Sequence, residues 1–372
     1  MSMPSHSRIV ITGDLLRPFP VDDGWEGATW KNIRWLSALL RPLLPDNAPA
    51  PTTLAWDALM PAGAGVFFDT PALYDALGES LNLRSWATLA QRQTAPDALV
   101  EALREPLQDA LVIGYELPPV LLDAMRQLQL PVIDLILHPL RFLPDLVFAM
   151  RTNVPAFHEV LLRHALAPSE VARQVGLIQA KAAWMPPPEP MPSGTALLLG
   201  QVASDRAMVL ADGRLARLDD HLGELHRLCT EHPLVLYKPH PYAAYDPAAQ
   251  TVLQQLPCIV RTSANFYHLL AQPELDTVVA LNSSGLIEAR AFGRRAHQLV
   301  PFLYDFDSSR APAGGHPGSP VALSPAWNEP GFWRSMLAGD ASTPTTPAWV
   351  PNRLRRSMNA DWGYQFMEQV CA

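Results

Sequence analysis

The sequence predicts an α/β protein of two domains, each a mainly parallel sheet flanked by helices. Three observations carry that expectation. Short apolar runs alternate with longer segments of helical periodicity along the chain. The length, 372 residues, exceeds what one core usually organises, since domains hold roughly 100–200 residues. The stretch at 184–194, WMPPPEPMPSG, breaks the rhythm, because proline lacks the amide donor and fixes φ. After it the alternation restarts.

In the first half, residues 8–12 (RIVIT) read as a strand. Residues 29–44 place Trp30, Ile33, Leu36, Leu39, Leu40 and Leu43 at helical spacing. Strands follow at 110–114 and 132–137 with a helix at 119–128 between them, and 157–183 is mostly helical. Beyond the linker, strands fall at 195–199, 234–237, 259–261, 277–281 and 297–300, separated by helices. Residues 308–351, rich in Pro, Gly and Ser, read as a long loop, and 352–370 as a final helix. The expected division is a Rossmann-like domain at 1–185, a linker at 186–194, a second such domain at 195–345, and a C-terminal helix within 346–372 with room to cross back to the first domain. No internal repeat of fixed period is present.

Composition narrows the function classes. With 48% hydrophobic and 17% charged residues the chain can bury a large core, which argues against disorder. Its 38 prolines sit at element ends and punctuate structure. A formal charge of -8 without an obvious basic face argues against a nucleic-acid partner. The local run Arg353-Leu354-Arg355-Arg356 suits a solvated helix face, or a patch touching anionic lipid or a charged acceptor. Three cysteines, Cys229, Cys258 and Cys371, are odd in number and lack metal-ligand spacing, which fits a reducing compartment with no disulfide framework. The N-terminus lacks a signal-peptide pattern, and no run reaches about 18 apolar residues. The expectation is a cytoplasmic protein, with room for peripheral association with the inner membrane.

Several motifs fall at the carboxyl ends of expected strands, where open parallel sheets bind ligands. In LYKPHP, a strand ends in Lys238 and His240 on a turn stiffened by two prolines; an ammonium and an imidazole there suit a nucleotide phosphate leaving group. In ALNSSGLIEA, Ser283 and Ser284 open a helix whose unpaired amides form an anion site, and Glu288 is one turn in, within reach of ribose hydroxyls. The same segment also suits a simple Asn or Ser cap with a solvated Glu. In GQVASD, Gln201 and Asp205 bring an amide and a carboxylate to the cleft floor, although a turn-capping Asp has the same spacing. Glu116 leaves the 110–114 strand in GYELPP as a candidate acid or base, and His138 and Arg141 could bind an anionic sugar or acceptor. His138 equally suits a satisfied core position. Asp22 and Asp23 could supply a base, since adjacent carboxylates push one pKa up, but Asp-Gly is more often a turn.

Together these residues resemble the capsule-polysaccharide-type glycosyltransferases, most of all the bacterial retaining β-Kdo transferases. The likeness rests on GYELPP at 114–119, DLILHPLRFLPDLVFAMRTN at 134–153, LLLGQVASD at 197–205, KPHP at 238–241 and NSSGLIEARAFGRRAHQLVPFLY at 282–304. It implies a GT-B-like architecture, two Rossmann-like domains facing a central cleft, with the N-terminal domain on the acceptor side. It also implies a CMP-Kdo donor, a glycan or glycolipid acceptor and no metal. By position, Lys238, His240, Ser283, Ser284 and Glu288 would hold the nucleotide, with Gln201 beside them. Asp205 would be the nucleophile and Glu116 the general acid/base, with Asp22 and Asp23 the next carboxylates to consider. Three other readings use the same residues: a CDP-alditol phosphotransferase, a sialyltransferase-like enzyme, and a non-catalytic subunit of a polysaccharide assembly complex.

Overall fold

The protein is described by a computed structural model covering residues 7–57, 63, 65–202, 205–210, 212–241, 246–306, 308–338 and 347–362. It is a mixed α/β protein. The chain opens with β1 (Arg8–Thr12), a hairpin of β2 (Pro18–Val21) and β3 (Gly24–Gly27), and α1 (Trp30–Leu40). Next come β4 (Thr52–Ala55), β5 (Val66–Phe67), α2 (Thr70–Ala76), α3 (Leu83–Ala90) and α4 (Asp97–Arg104). They are followed by β6 (Ala110–Tyr115), α5 (Pro119–Gln127), β7 (Val132–Leu137), β8 (Phe148–Thr152), α6 (Pro155–Arg163) and α7 (Pro168–Ala182).

The second half holds β9 (Thr195–Leu199), α8 (Leu222–Glu231), β10 (Val235–Lys238), α9 (Pro247–Gln255) and β11 (Ile259–Arg261). It continues with α10 (Phe266–Ala271), β12 (Leu275–Ala280), α11 (Gly285–Ala291) and β13 (Arg295–Gln298), and closes with β14 (Val321–Ala322), α12 (Pro330–Ala338) and α13 (Arg353–Trp362). Prolines open α2, α5, α6, α7 and α9, where the missing amide hydrogen would have been unpaired anyway. That placement lets so proline-rich a chain remain regular.

Two sheets organise these elements. One runs β14-β8-β7-β6-β1-β4-β5, the other β11-β10-β9-β12-β13. All pairings are parallel except those of β8 with β7 and β14. Both parallel cores share one winding order. Counted in chain order from β1 and from β9, each reads 3-2-1-4-5. The order therefore reverses between β1 and β6 and again between β9 and β12, and above such a reversal the connections diverge and leave a crevice. The central strands β6 (ALVIGY) and β9 (TALLL) are buried at every residue, as strands covered on both faces must be. Edge strand β13 (RAHQ) is mostly exposed and starts two residues before the strand expected at 297–300, because an edge does not require apolar residues.

The segment expected to be a loop at 308–351 contains structure. β14 extends the first sheet beside β8, and α12 buries Phe332, Trp333 and Met336 in the first core. The final helix also docks there. Leu354 and Met358 join the first core, Trp35 Nε1 donates to Ser357 Oγ at 2.9 Å, and Asp145 accepts from the amides of Leu354 (2.7 Å) and Arg355 (3.2 Å). The helix is described to Trp362, so the rest of the expected 352–370 helix, like Cys371, lies outside the described residues. Arg355 spends its guanidinium on the carbonyls of Arg141, Leu143 and Pro144, which leaves the local basic run as two outward arginines, Arg353 and Arg356.

Two further differences from expectation have physical causes. Helix α7 precedes the proline-rich linker, yet its Val175 and Ile178 pack into the second core beside α10 and α11. Cys229 on α8 and Cys258 before β11 form a disulfide with Cα atoms 6.2 Å apart, a pairing their 29-residue separation does not reveal. Among the described residues no helix is long and apolar enough to cross a membrane.

Candidate functional site

At the carboxyl end of β6 the chain makes an unusual turn. Gly114 admits no side chain, since a Cβ would lie 2.3 Å from Leu117 Cδ1. Glu116 then adopts φ +50°, the left-handed region, which costs a non-glycine residue roughly 1–2 kcal/mol. Surrounding bonds hold that strain. Glu116 N donates to Leu135 O at 2.8 Å, and Glu116 O accepts from Arg206 Nη1. Leu117 N donates to Asp134 Oδ1 at 3.0 Å, and Leu117 O accepts from Arg151 Nη2 at 3.1 Å. Asp134, wholly buried, pairs with Arg151 at 2.8 Å. A charge in the apolar strand VIDLIL needs such a partner. Burial pushes the Glu116 carboxyl above its ordinary range; Arg206 opposes, while Asp205 and Asp134 add to the rise.

Arg206 is itself 6% exposed. Its guanidinium lies 5.9 Å from the ring centroid of Tyr304, and that of Arg151 lies 5.3 Å from the same ring. The Tyr304 hydroxyl is buried with no partner among the described residues, and burial raises its pKa. At the reversal point of the first sheet, Asp14 is buried after β1 and accepts from Leu16 N (3.1 Å) and Trp86 Nε1 (3.0 Å).

The second sheet presents its own set. After β9, Gly200 packs so closely that a Cβ would meet Tyr237 Oη at 2.6 Å and His240 N at 3.1 Å, which brings Lys238 and His240 up against the 200–201 backbone. Lys238 Nζ donates to Ala264 O at 2.7 Å. Gln201 and Asn282 form a reciprocal pair, Nε2 to Oδ1 at 3.0 Å and Asn282 N to Oε1 at 2.9 Å, which clamps the exits of β9 and β12 together. Asp205 is exposed and caps the short turn 206–208 by accepting from Ala207 N at 3.4 Å. Ala203 and Ser204 of the same motif lie outside the described residues. Ser283 Oγ accepts from Gly285 N at 3.2 Å, and Ser284 is exposed at the start of α11.

Glu288 faces inward. At 3% exposed, its Oε1 accepts from Arg141 N (2.7 Å) and Tyr267 Oη (3.0 Å), so it joins the loop after β7 to the second sheet. Arg141 Nη1 is buried and unpaired among the described residues. His138 is buried, accepts at Nδ1 from Leu140 N at 3.3 Å and meets Phe306 edge-on at 4.9 Å. Burial first, and the Arg141 charge second, lower its pKa to about 3, so it is a neutral imidazole and supplies no positive charge. Asp22 and Asp23 form the exposed two-residue turn of the β2–β3 hairpin.

The structure thus brings Glu116 and Asp205 into electrostatic range and gathers Gln201, Lys238, His240, Ser283 and Ser284 at one end of the second sheet. Arg206, Asp134, Arg151 and Tyr304 were not expected at the site. A signal existed for two of them: Asp134 and Arg151 are single charges inside the otherwise apolar strands VIDLIL and FAMRT, and buried charges are rarely tolerated unpaired. No sequence signal marks Arg206 or Tyr304.

These features define a doubly wound α/β protein with polar and acidic groups at the strand-order reversals of two sheets. No family model and no curated protein matches the chain. Among solved structures the chain is similar to KpsC of Thermosulfurimonas dismutans, a beta Kdo 2,7 transferase, at 16% identity and a TM-score of 0.32. That similarity covers 54% of this chain and 68% of the other. At this level of likeness the neighbour's activity does not transfer.

Proposed function

We propose that this chain is a retaining glycosyltransferase of the two-domain GT-B kind, moving Kdo or a related acidic sugar from a CMP-activated donor to a glycan or glycolipid. The observation that carries the reading is the pair Glu116 and Asp205. One carboxyl has its pKa raised in a strained, tightly held turn; the other is exposed and acts on it by charge from the turn after β9. A second carboxyl group beside one whose pKa burial has raised is what a double displacement requires.

In the first displacement the Asp205 carboxylate attacks the anomeric carbon, and the bond from that carbon to the phosphate oxygen breaks, releasing CMP. Lys238, His240, Ser283 and Ser284 stabilise the departing phosphate. In the second, the acceptor hydroxyl attacks the same carbon, its proton passes to Glu116, and Asp205 leaves. A carboxyl with a pKa raised toward the working pH suits that proton transfer. Arg141, with a buried unpaired nitrogen, is the candidate for the sugar carboxylate. Gln201 acts by holding Asn282, and Glu288 by anchoring Arg141.

A thermal-shift panel with CMP, CDP, UDP, GDP and ADP, without added metal, tests the nucleotide. At about a hundred times its dissociation constant a ligand adds roughly 2.7 kcal/mol, enough to move the midpoint by several degrees. Selective stabilisation by CMP supports the reading; a preference for CDP favours alditol-phosphate transfer, and no shift with any of them rejects it. Asp205→Asn should retain the CMP shift and lose transfer from CMP-Kdo.

A further inference from the structure

Arg206 adjoins the proposed nucleophile in sequence and reaches the proposed acid/base in space. It is nearly buried, its Nη1 donates to the Glu116 carbonyl, and its guanidinium rests near the face of Tyr304. A buried arginine is expensive to desolvate, so it is kept where its charge and fork meet fixed partners. Here the partner is the carbonyl of a residue in the left-handed region. Strained backbone of this kind persists only where neighbours over-determine it, and it clusters at functional sites. Of the bonds holding Glu116 and Leu117, those from Leu135, Asp134 and Arg151 arise within the first sheet, whereas that from Arg206 arrives from the second.

We propose that Arg206 is a positioning residue that locks the Asp205 turn to the Glu116 backbone, setting the distance and orientation of the two carboxyl groups across the two sheets. The proposal rests on the transferase reading for its consequence in catalysis, but not for the contact itself. A second effect follows from charge. Arg206 and Asp205 act on Glu116 from the turn after β9, Asp134 (paired with Arg151 of β8) from β7, Tyr304 from the loop after β13, and the Leu137 amide from the end of β7. Arg206 lowers the Glu116 pKa against burial and the nearby acids, so removing its charge must push that pKa higher still.

The test uses Arg206→Met and Arg206→Lys in the full chain, with melting midpoints recorded first. Lys retains the charge and loses the planar fork; Met loses both. Both variants should keep the CMP-induced thermal shift, because Lys238 and His240 are untouched. Both should lower kcat by on the order of 100-fold with KM for the donor little changed, the expected result of misplacing a reacting group by about 1 Å. The pH limb belonging to Glu116 should move upward in Arg206→Met and stay in place in Arg206→Lys. Wild-type kcat in Arg206→Met, or a loss of activity with an unmoved pH limb, overturns the proposal. If the wild-type protein binds CMP but transfers no sugar, the transferase reading fails by itself. The contact is then tested by carbon-13 titration of the Glu116 carboxyl, assigned with Glu116→Gln: an upward displacement in Arg206→Met supports the lock, and an unchanged titration refutes it.

Discussion

Replacing Asp134 with Ala should be among the costliest single changes in the molecule. Asp134 is fully buried, accepts from Leu117 N at 3.0 Å, and meets Arg151 through both Nε and Nη2 at 2.8 Å. The truncation strands a guanidinium whose side chain is 16% exposed and frees the Leu117 amide. Removing one member of a buried ion pair costs about 3–5 kcal/mol, chiefly the penalty of an uncompensated buried charge. For a cooperative unit of 150–250 residues, at about 2–4 °C per kcal/mol, the midpoint should fall by roughly 6–20 °C. The paired change Asp134→Leu with Arg151→Met removes both charges and should recover much of the loss, since an apolar replacement of a buried pair is often near neutral. Urea unfolding with a double-mutant cycle is the assay. A cost below about 1 kcal/mol for Asp134→Ala, or a double variant no better than the worse single one, would refute the claim that this pair is a buried, mutually dependent unit.

Three other outcomes follow from the structure. His138 has a folded pKa near 3 against about 6.5 unfolded, so the unfolded chain takes up the proton first as pH falls. Stability is therefore complete above about pH 6.5 and lost across the window down to about pH 3. By pH 5 the loss reaches roughly 2 kcal/mol, which His138→Gln should abolish in a stability-against-pH series. Gly200→Ala places a Cβ 2.6 Å from Tyr237 Oη, so it should destabilise by about 1–3 kcal/mol and shrink the CMP thermal shift by displacing the Lys238–His240 turn. An undiminished shift would dissociate that turn from nucleotide binding. The disulfide of Cys229 and Cys258 closes a loop of 29 residues, worth roughly 3–4 kcal/mol on the chain-entropy account. Reductant should lower the wild-type midpoint and leave Cys229→Ser unmoved; equal midpoints with and without reductant would show the thiols unpaired.

Much of the scaffold was legible because it is written in local pattern. Strands β1, β7, β9 and β11 stand where the apolar runs placed them, and α1 follows its helical spacing. Buried central strands must be continuously apolar, so such runs are hard to misread. The misread regions are those whose apolar content is sparse or split. The 308–351 segment looked like a loop from its Pro, Gly and Ser, yet the few large residues of α12 suffice once the first core supplies the other side of the contact. In the same way β13 needed only an edge to pair with, and α7 only a neighbouring sheet to bury Val175 and Ile178.

The candidate site divides along the same line. Sequence alone determined which residue types stand at strand exits: Glu116 after β6, Gln201 and Asp205 after β9, Lys238 and His240 after β10, and Ser283 and Ser284 after β12. A strand exit is a local property, set by where an apolar run stops. Only the tertiary structure decided how each is used. Glu288 turns inward to Arg141 and Tyr267, His138 becomes a neutral core imidazole, and Asp22 with Asp23 form an exposed turn. Arg206 and Tyr304 join Glu116 from segments 90 or more positions away in the chain. Burial, charge coupling and hydrogen-bond partnership depend on which segments meet in space, and that meeting is settled by the packing of two sheets that no local window contains.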